Sequence, residues 1–314
     1  MTPKKSILIL GAGVCGLLIA QALQKQKCRV TVWEKSKGVG GRMATRRSEG
    51  RMWDHGAQFF SFDKMWSPWI EVWLRSGLIR EWPFGGSPVK YYAPRGMTAV
   101  AKDLGTGLLI QKERQLASLH IEDRSCRALD IQGANEVFDG VIFTCPLPQT
   151  VALLQTSGLE SPHSWTKLTY ASALVGLIEW NDENRLEPFY RESLDQALFS
   201  VTDMQTKGVS QDPAWTVVAN PAWSLAHWDA PEKEQIQALQ QHLLQVGLLQ
   251  ESQRGSWQMK KWKYSHPTST LSPALGWIRK EPLILASGDS FGGGSVAGAS
   301  RAAAAAVSLL AEVD

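Results

Sequence analysis

At 314 residues, with 44% hydrophobic and 20% charged side chains, the chain has material for a large core and the balance of an ordinary globular protein. A net charge of +3 is too small to point to nucleic acid or to an anionic membrane surface, and no apolar run is long enough to cross a bilayer. Four scattered cysteines without a C-x-x-C give neither a disulfide framework nor a metal site, which fits a reducing, cytoplasmic setting.

The opening MTPKKSILILGAG has a basic start, but Gly-Ala-Gly breaks its apolar run after four residues, so a structural strand is expected rather than a signal peptide. Ile7–Leu10 has no alternation, as in a parallel strand buried on both faces. Gly11, Gly13 and Gly16 follow as G-x-G-x-x-G, then an apolar helix carrying Leu17, Leu18, Ala20 and Leu23. Arg29–Trp33 is a second strand, and Glu34 ends it, 18 residues after Gly16. Each part has a physical task. Gly11 permits the turn, Gly13 admits a pyrophosphate to the backbone, and Gly16 lets the helix lie close to the strand. The helix N-terminus offers N–H groups to the phosphates. Glu34 accepts from the adenosine ribose and would repel a 2′-phosphate.

Lys37–Arg47, KGVGGRMATRR, suggests a second approach to the phosphates, with Gly40 and Gly41 allowing contact and Arg42 neutralising charge. In Asp54–Phe60, Gly56 and Ala57 are small enough to sit against a planar ring, and Gln58 is a candidate hydrogen-bonding partner for cofactor or substrate. Lys64–Trp82 reads as one helix with Trp66, Trp69 and Trp73 on a stripe. A Gly/Pro-rich loop follows, and Arg95-Gly96-Met97 leads into a helix ending near Leu104.

Leu108–Asp130 reads as two or three short strands, one holding Leu116, and Phe138–Pro148 as a buried strand returning to the main sheet. The block with strands at Thr169–Trp180, Ala197–Thr202 and Trp215–Asn220 has antiparallel character and is a candidate substrate domain. A helix is expected over Pro231–Gly247, with Asp229 as its N-cap. Trp257–Pro267 is a strand whose Trp262 and Tyr264 are candidates for a cavity wall. Leu283–Ala286 is a buried strand ended by Ser287-Gly288-Asp289, and a glycine loop then opens an alanine-rich helix. Asp289 could accept from a polyol hydroxyl, and the Val296 N–H could face a developing anion. Two phosphate-friendly ends far apart in sequence suit a long, extended cofactor such as FAD. There is no second G-x-G-x-x-G for a dedicated NADPH domain.

Taken together these residues resemble the FAD-dependent amine oxidase superfamily, and within it the renalase-like flavoproteins. The strongest parts are Gly11-Ala12-Gly13-Val14-Cys15-Gly16, Glu34-Lys35, Gly40-Gly41-Arg42-Met43, Asp54-His55-Gly56-Ala57-Gln58 and Gly288-Asp289. Weaker echoes are Arg95-Gly96-Met97, Trp223-Ser224 with His227, and Trp262-Lys263-Tyr264. The resemblance implies an α/β (α+β overall) fold with a Rossmann-type FAD-binding domain from residues 1–64, 95–165 and 267–314. An interleaved substrate domain with a mixed or antiparallel sheet would come from 65–94 and 166–266. It implies non-covalent FAD held by the motif residues, by backbone at Leu116, and by Asp289 and Val296 at the flavin end. Substrate contacts would come from Gln58, Trp223, His227, Trp262 and Tyr264. The implied reaction is hydride transfer from a dihydronicotinamide isomer to the flavin, with dioxygen as acceptor, a small-molecule substrate, and neither nucleic acid nor membrane as partner. An amine oxidase, another flavin dehydrogenase or desaturase, and a non-catalytic FAD-binding protein are the alternatives. No side chain stands out as a catalytic acid or base.

Overall fold

The computed structural model describes residues 5–181, 185–253 and 255–312. Strand β1 (Ser6–Leu10) lies inside a six-stranded sheet, which is why both its faces are apolar. Across the sheet the order is 276–279, 283–286, 140–143, β1, β2 (Arg29–Glu34) and 109–112. Five of these strands are parallel, and 276–279 is an antiparallel edge. Helix α1 (Val14–Lys25) makes the crossover from β1 to β2. The helix Ser295–Glu312 packs beside α1, with Ala302, Ala303 and Ala306 fully buried; the small side chains permit the close approach. A three-stranded antiparallel sheet spans residues 116–138.

The second unit is a five-stranded antiparallel sheet in the order 190–192, 198–203, 214–219, 170–180, 255–267. Both faces are covered, in strict alternation. Leu174, Ile178, Trp215 and Val217 pack on one side with Leu239 and Leu243 of the helix Glu232–Gln245. Ala173, Val175, Leu177 and Ala214 face the other way, against Trp53 and Met204. Trp53 belongs to a hairpin of β3 (Thr45–Ser48) and β4 (Arg51–Asp54). Its indole Nε1 donates to the Ile178 carbonyl at 3.0 Å, so the hairpin carries the first unit's chain onto the second unit's sheet.

Two local expectations are corrected. The helix expected to run from Lys64 to Trp82 is a short 3-10 turn and then Ser67–Ser76, because Gly77 takes φ +69° and stops it. Trp66, Ile70 and Trp73 from it pack into the core of the first unit. Asp229 is not the N-cap of the later helix: that position is Pro231, and Glu232 and Glu234 place negative charge in the first turn. The stretch 45–54, for which the sequence suggested no strand, is the β3–β4 hairpin, turned by Glu49 and Gly50 at φ +46° and +81°. No helix among the described residues is long and apolar enough to cross a membrane.

Candidate active site

The turn after β1 is fixed from both sides. The Gly11 N–H donates to the Trp33 carbonyl at 2.9 Å, and the Gly40 N–H donates to the Ala12 carbonyl at 2.8 Å. A Cβ on Gly16 would lie 2.1 Å from the Gly11 carbonyl oxygen, so α1 can start this close to the strand only with glycine there. A Cβ on Gly13 would instead meet open space, and Gly41 lies against the Gly13 Cα. Two glycine backbones thus form a cradle over the start of α1. That start has no side-chain cap and no acid in its first turn, which leaves its N–H groups and positive end for an anion.

Glu34 is buried at the end of β2. Its Oε2 accepts from the Ala12 N–H at 2.9 Å and its Oε1 from the Ser36 N–H at 2.7 Å. Each oxygen keeps a lone pair for a hydroxyl donor. Backbone from the 114–116 segment joins the same edge, where the Arg114 N–H donates to the Glu34 carbonyl. The Arg114 guanidinium stacks on the Trp33 ring at 3.9 Å. Leu116 is buried here and Met43 is part of the core below, while Lys35 is exposed and reaches Gln149.

Arg42 and Asp289, 247 residues apart, form a bidentate pair at 2.6 and 2.8 Å. Asp289 also accepts from the Tyr170 hydroxyl at 3.1 Å. Cys15, in the first turn of α1, lies 3.3 Å from the Ser287 hydroxyl, and burial pushes its thiol pKa up to about 12, which keeps it protonated. Gly288 and Asp289 therefore close on the G-x-G-x-x-G turn from the far end of the sheet. Val296 lies in the first turn of the C-terminal helix, after the break at Gly293 and Gly294. The Gly56–Ala57 segment joins the group through the Ala57 N–H, which donates to the Arg42 carbonyl at 2.9 Å.

On the sheet side, Trp262 donates through Nε1 to the His55 carbonyl at 2.6 Å and stacks on the His55 ring, and Tyr264 packs edge-on to Tyr170. Trp223 and His227 are elsewhere. They stack on each other at 3.9 Å on the opposite face of the five-stranded sheet, in the cluster with Leu239 and Leu243. Gln58 is buried with its amide fully engaged, its Nε2 donating to the Asp54 carbonyl and its Oε1 accepting from Lys207. Burial and the nearby Lys260 lower the His55 pKa to about 4, so it is neutral at physiological pH.

Because the folded pKa of His55 lies below the 6.5 of a free imidazole, the unfolded state takes up the extra proton. Stability from this group is complete above about pH 6.5 and is lost as pH falls toward 4. Denaturation midpoints at pH 7 and pH 4.5 are expected to differ less in His55→Asn than in the wild type; equal differences would rule the residue out as the cause.

Sequence reasoning missed Tyr170, Lys207 and Trp82. Tyr170 sits at the start of an evident strand, but nothing local marks its hydroxyl as the partner of Asp289.

Comparison with known proteins bears on the fold and on the relationship of the chain. A family model described as an NAD(P)-binding Rossmann-like domain matches residues 9–70. Mouse (Mus musculus) renalase is 25% identical over 325 aligned residues, covering 91% of this chain and 92% of renalase. A putative protoporphyrinogen oxidase from Exiguobacterium sp. 255-15 shares the fold with a TM-score of 0.75 at 15% identity, covering 100% of this chain and 99% of that one. Putrescine oxidase bound to putrescine does so with a TM-score of 0.72 at 12% identity, covering 99% of both chains.

Proposed function

We propose that this renalase homologue, an oxidoreductase built on an oxidase fold, holds FAD non-covalently and oxidises a dihydronicotinamide isomer at the expense of dioxygen. The observation that carries the reading is the convergence of the Gly11–Gly16 turn, Glu34, Gly40–Arg42 and Asp289 at the carboxyl ends of the parallel strands, where open α/β sheets bind their ligands. The empty space over Gly13, the uncapped start of α1 and the buried Glu34 carboxylate fit an extended dinucleotide with a free ribose diol.

In this reading the α1 N-terminus and Arg42 hold the pyrophosphate, Glu34 the adenosine ribose, and backbone at Leu116 the adenine. Three of the five N–H groups of Arg42 are taken, two by Asp289 and one by the Ser265 carbonyl at 3.2 Å, which leaves two for phosphate oxygens. Asp289 accepts from the ribityl chain, and the Val296 N–H lies toward the far end of the cofactor with Gly56 and Ala57. When bound, FAD would supply the hydride acceptor at its N5 and return the electrons to dioxygen. The protein orients the donor against Trp262 and Tyr264 and keeps water out. No side-chain base is asked for, because the ring nitrogen lone pair of a dihydropyridine drives hydride loss. The neutral His55 and protonated Cys15 are consistent with that economy.

The test is anaerobic mixing of the FAD-loaded protein with dihydro isomers of NAD and NADP. Bleaching of the flavin band by misreduced isomers but not by ordinary NADH, with recovery in air, is expected. Bleaching by amines alone would redirect the assignment to amine oxidation, and failure to retain FAD would sink the cofactor.

A further inference from the structure

A lysine is buried without solvent contact where the two units meet. Lys207 stands in the turn between strands 198–203 and 214–219, and both its side chain and that of Asp54 are 0% exposed. Its Nζ donates to Asp54 Oδ2 at 2.9 Å and to Gln58 Oε1 at 3.2 Å. The rings of Trp82 and Tyr92 lie 5.8 and 6.0 Å from the ammonium and offer their faces to its remaining positive charge. Burial lowers the Lys207 pKa, and Asp54 opposes that shift.

The turn that carries Lys207 is itself held. Asp203 accepts from the Gln205 and Thr206 N–H groups and from the Leu186 N–H. The β3–β4 hairpin docks along it, the Met52 N–H donating to the Ser210 hydroxyl. On the other side, Asp54 Oδ1 accepts from the Thr45 hydroxyl at 2.6 Å and the Met97 N–H at 2.8 Å. Asp54 and Gln58 therefore bracket Gly56 and Ala57, and both brackets end on one ammonium from the other unit. A hydrocarbon of this length could fill the place without the desolvation penalty that a buried ammonium carries, so what the charge adds here is its fixed contacts to Asp54 and Gln58.

We propose that Lys207 is a positioning residue: it fixes the Gly56–Ala57 segment against the cofactor through Asp54 and Gln58. The assignment deepens the FAD reading above and rests on it for its spectroscopic consequence.

Lys207→Met leaves the Asp54 carboxylate buried and uncompensated and risks unfolding, so the decisive protein is Lys207→Met with Asp54→Asn. Amide exchange of the apoprotein is measured first. The Ala57 N–H, which donates to Arg42 and touches neither substituted side chain, is expected to exchange at least about tenfold faster than in wild type, with Leu8–Leu10 unchanged. FAD binding is measured next, with an expected rise in Kd of about tenfold and an altered visible band, since a segment displaced by a fraction of an ångström no longer meets the ring in the same way. Exchange at the wild-type rate overturns the proposal. Faster exchange with an unaltered flavin band overturns it too, reducing Lys207 to a structural ion. A wild-type protein that takes up no FAD sinks the cofactor reading instead, and the exchange result alone then decides whether Lys207 braces the segment.

Discussion

Arg42→Met is expected to destabilise the folded protein by about 2–3 kcal/mol and to strip it of FAD. The stability loss follows from what is left behind. Asp289 is 3% exposed, and two of its contacts are the guanidinium N–H groups of Arg42 at 2.6 and 2.8 Å. Without them a buried carboxylate keeps, among the described residues, only the Tyr170 hydroxyl at 3.1 Å as its side-chain donor. The loss is set below the full range for a buried pair because the Arg42 side chain is 29% exposed, so solvent screens part of the interaction. Urea denaturation of the apoprotein gives the stability term and gel filtration of the loaded protein gives the occupancy. Adding Asp289→Asn to Arg42→Met is expected to recover part of the stability but none of the FAD. Recovery of both would move the phosphate contact away from Arg42.

Gly56→Ala carries the second large effect. A Cβ there would sit 2.0 Å from the Arg42 carbonyl oxygen and 2.9 Å from its carbonyl carbon. That oxygen accepts from the Ala57 N–H, so the new methyl forces apart two backbones joined by a hydrogen bond. Overpacking of a rigid contact costs about 1–3 kcal/mol, and backbone on both sides puts this site at the upper end. FAD retention should fall with it, because the displaced segments are the one carrying Arg42 and the one carrying Ala57. A urea midpoint matching that of wild type would show that the segment slides away freely and is not a fixed seat.

The parts of the site that could be read in the sequence are the ones whose logic is local. Gly11, Gly13 and Gly16 announce a turn because their spacing has a steric meaning within six residues, and Glu34 follows from the length of one crossover. The strand ending in Gly288-Asp289 is likewise visible in place. What cannot be read locally is pairing across the fold. Lys207 and Asp54 are 153 residues apart, and a lysine in a turn looks like solvent-facing charge until the partner is known. Trp223 illustrates a different gap: alternation shows that a strand or its neighbour has two faces, yet both faces of this sheet are buried, so aromatic character does not tell which one lies against His55. The β3–β4 hairpin had a usable signal in Glu49-Gly50, a turn dipeptide between two short stretches, but attention to Arg42 and the glycines before it left the strands unread.

The order of strands in the six-stranded sheet has a consequence for how the chain reaches this shape during synthesis. Strand 283–286 lies next to 140–143, and the helix Ser295–Glu312 packs on α1, so the first unit is closed by residues far downstream of its other strands. Until residue 283 has been added, strand 140–143 lacks its neighbour on that side, and the sheet of β1, β2 and 140–143 would have an open edge there. The five-stranded sheet between them draws all its strands from one continuous stretch, 170–267, and can pair as it emerges. Late closure across so long a separation is slow relative to local pairing. Truncation after residue 278, which removes strand 283–286, Asp289 and the helix Ser295–Glu312 together, should therefore leave a chain whose middle is folded and whose first unit is not, with the nucleotide turn formed in sequence but without its far wall.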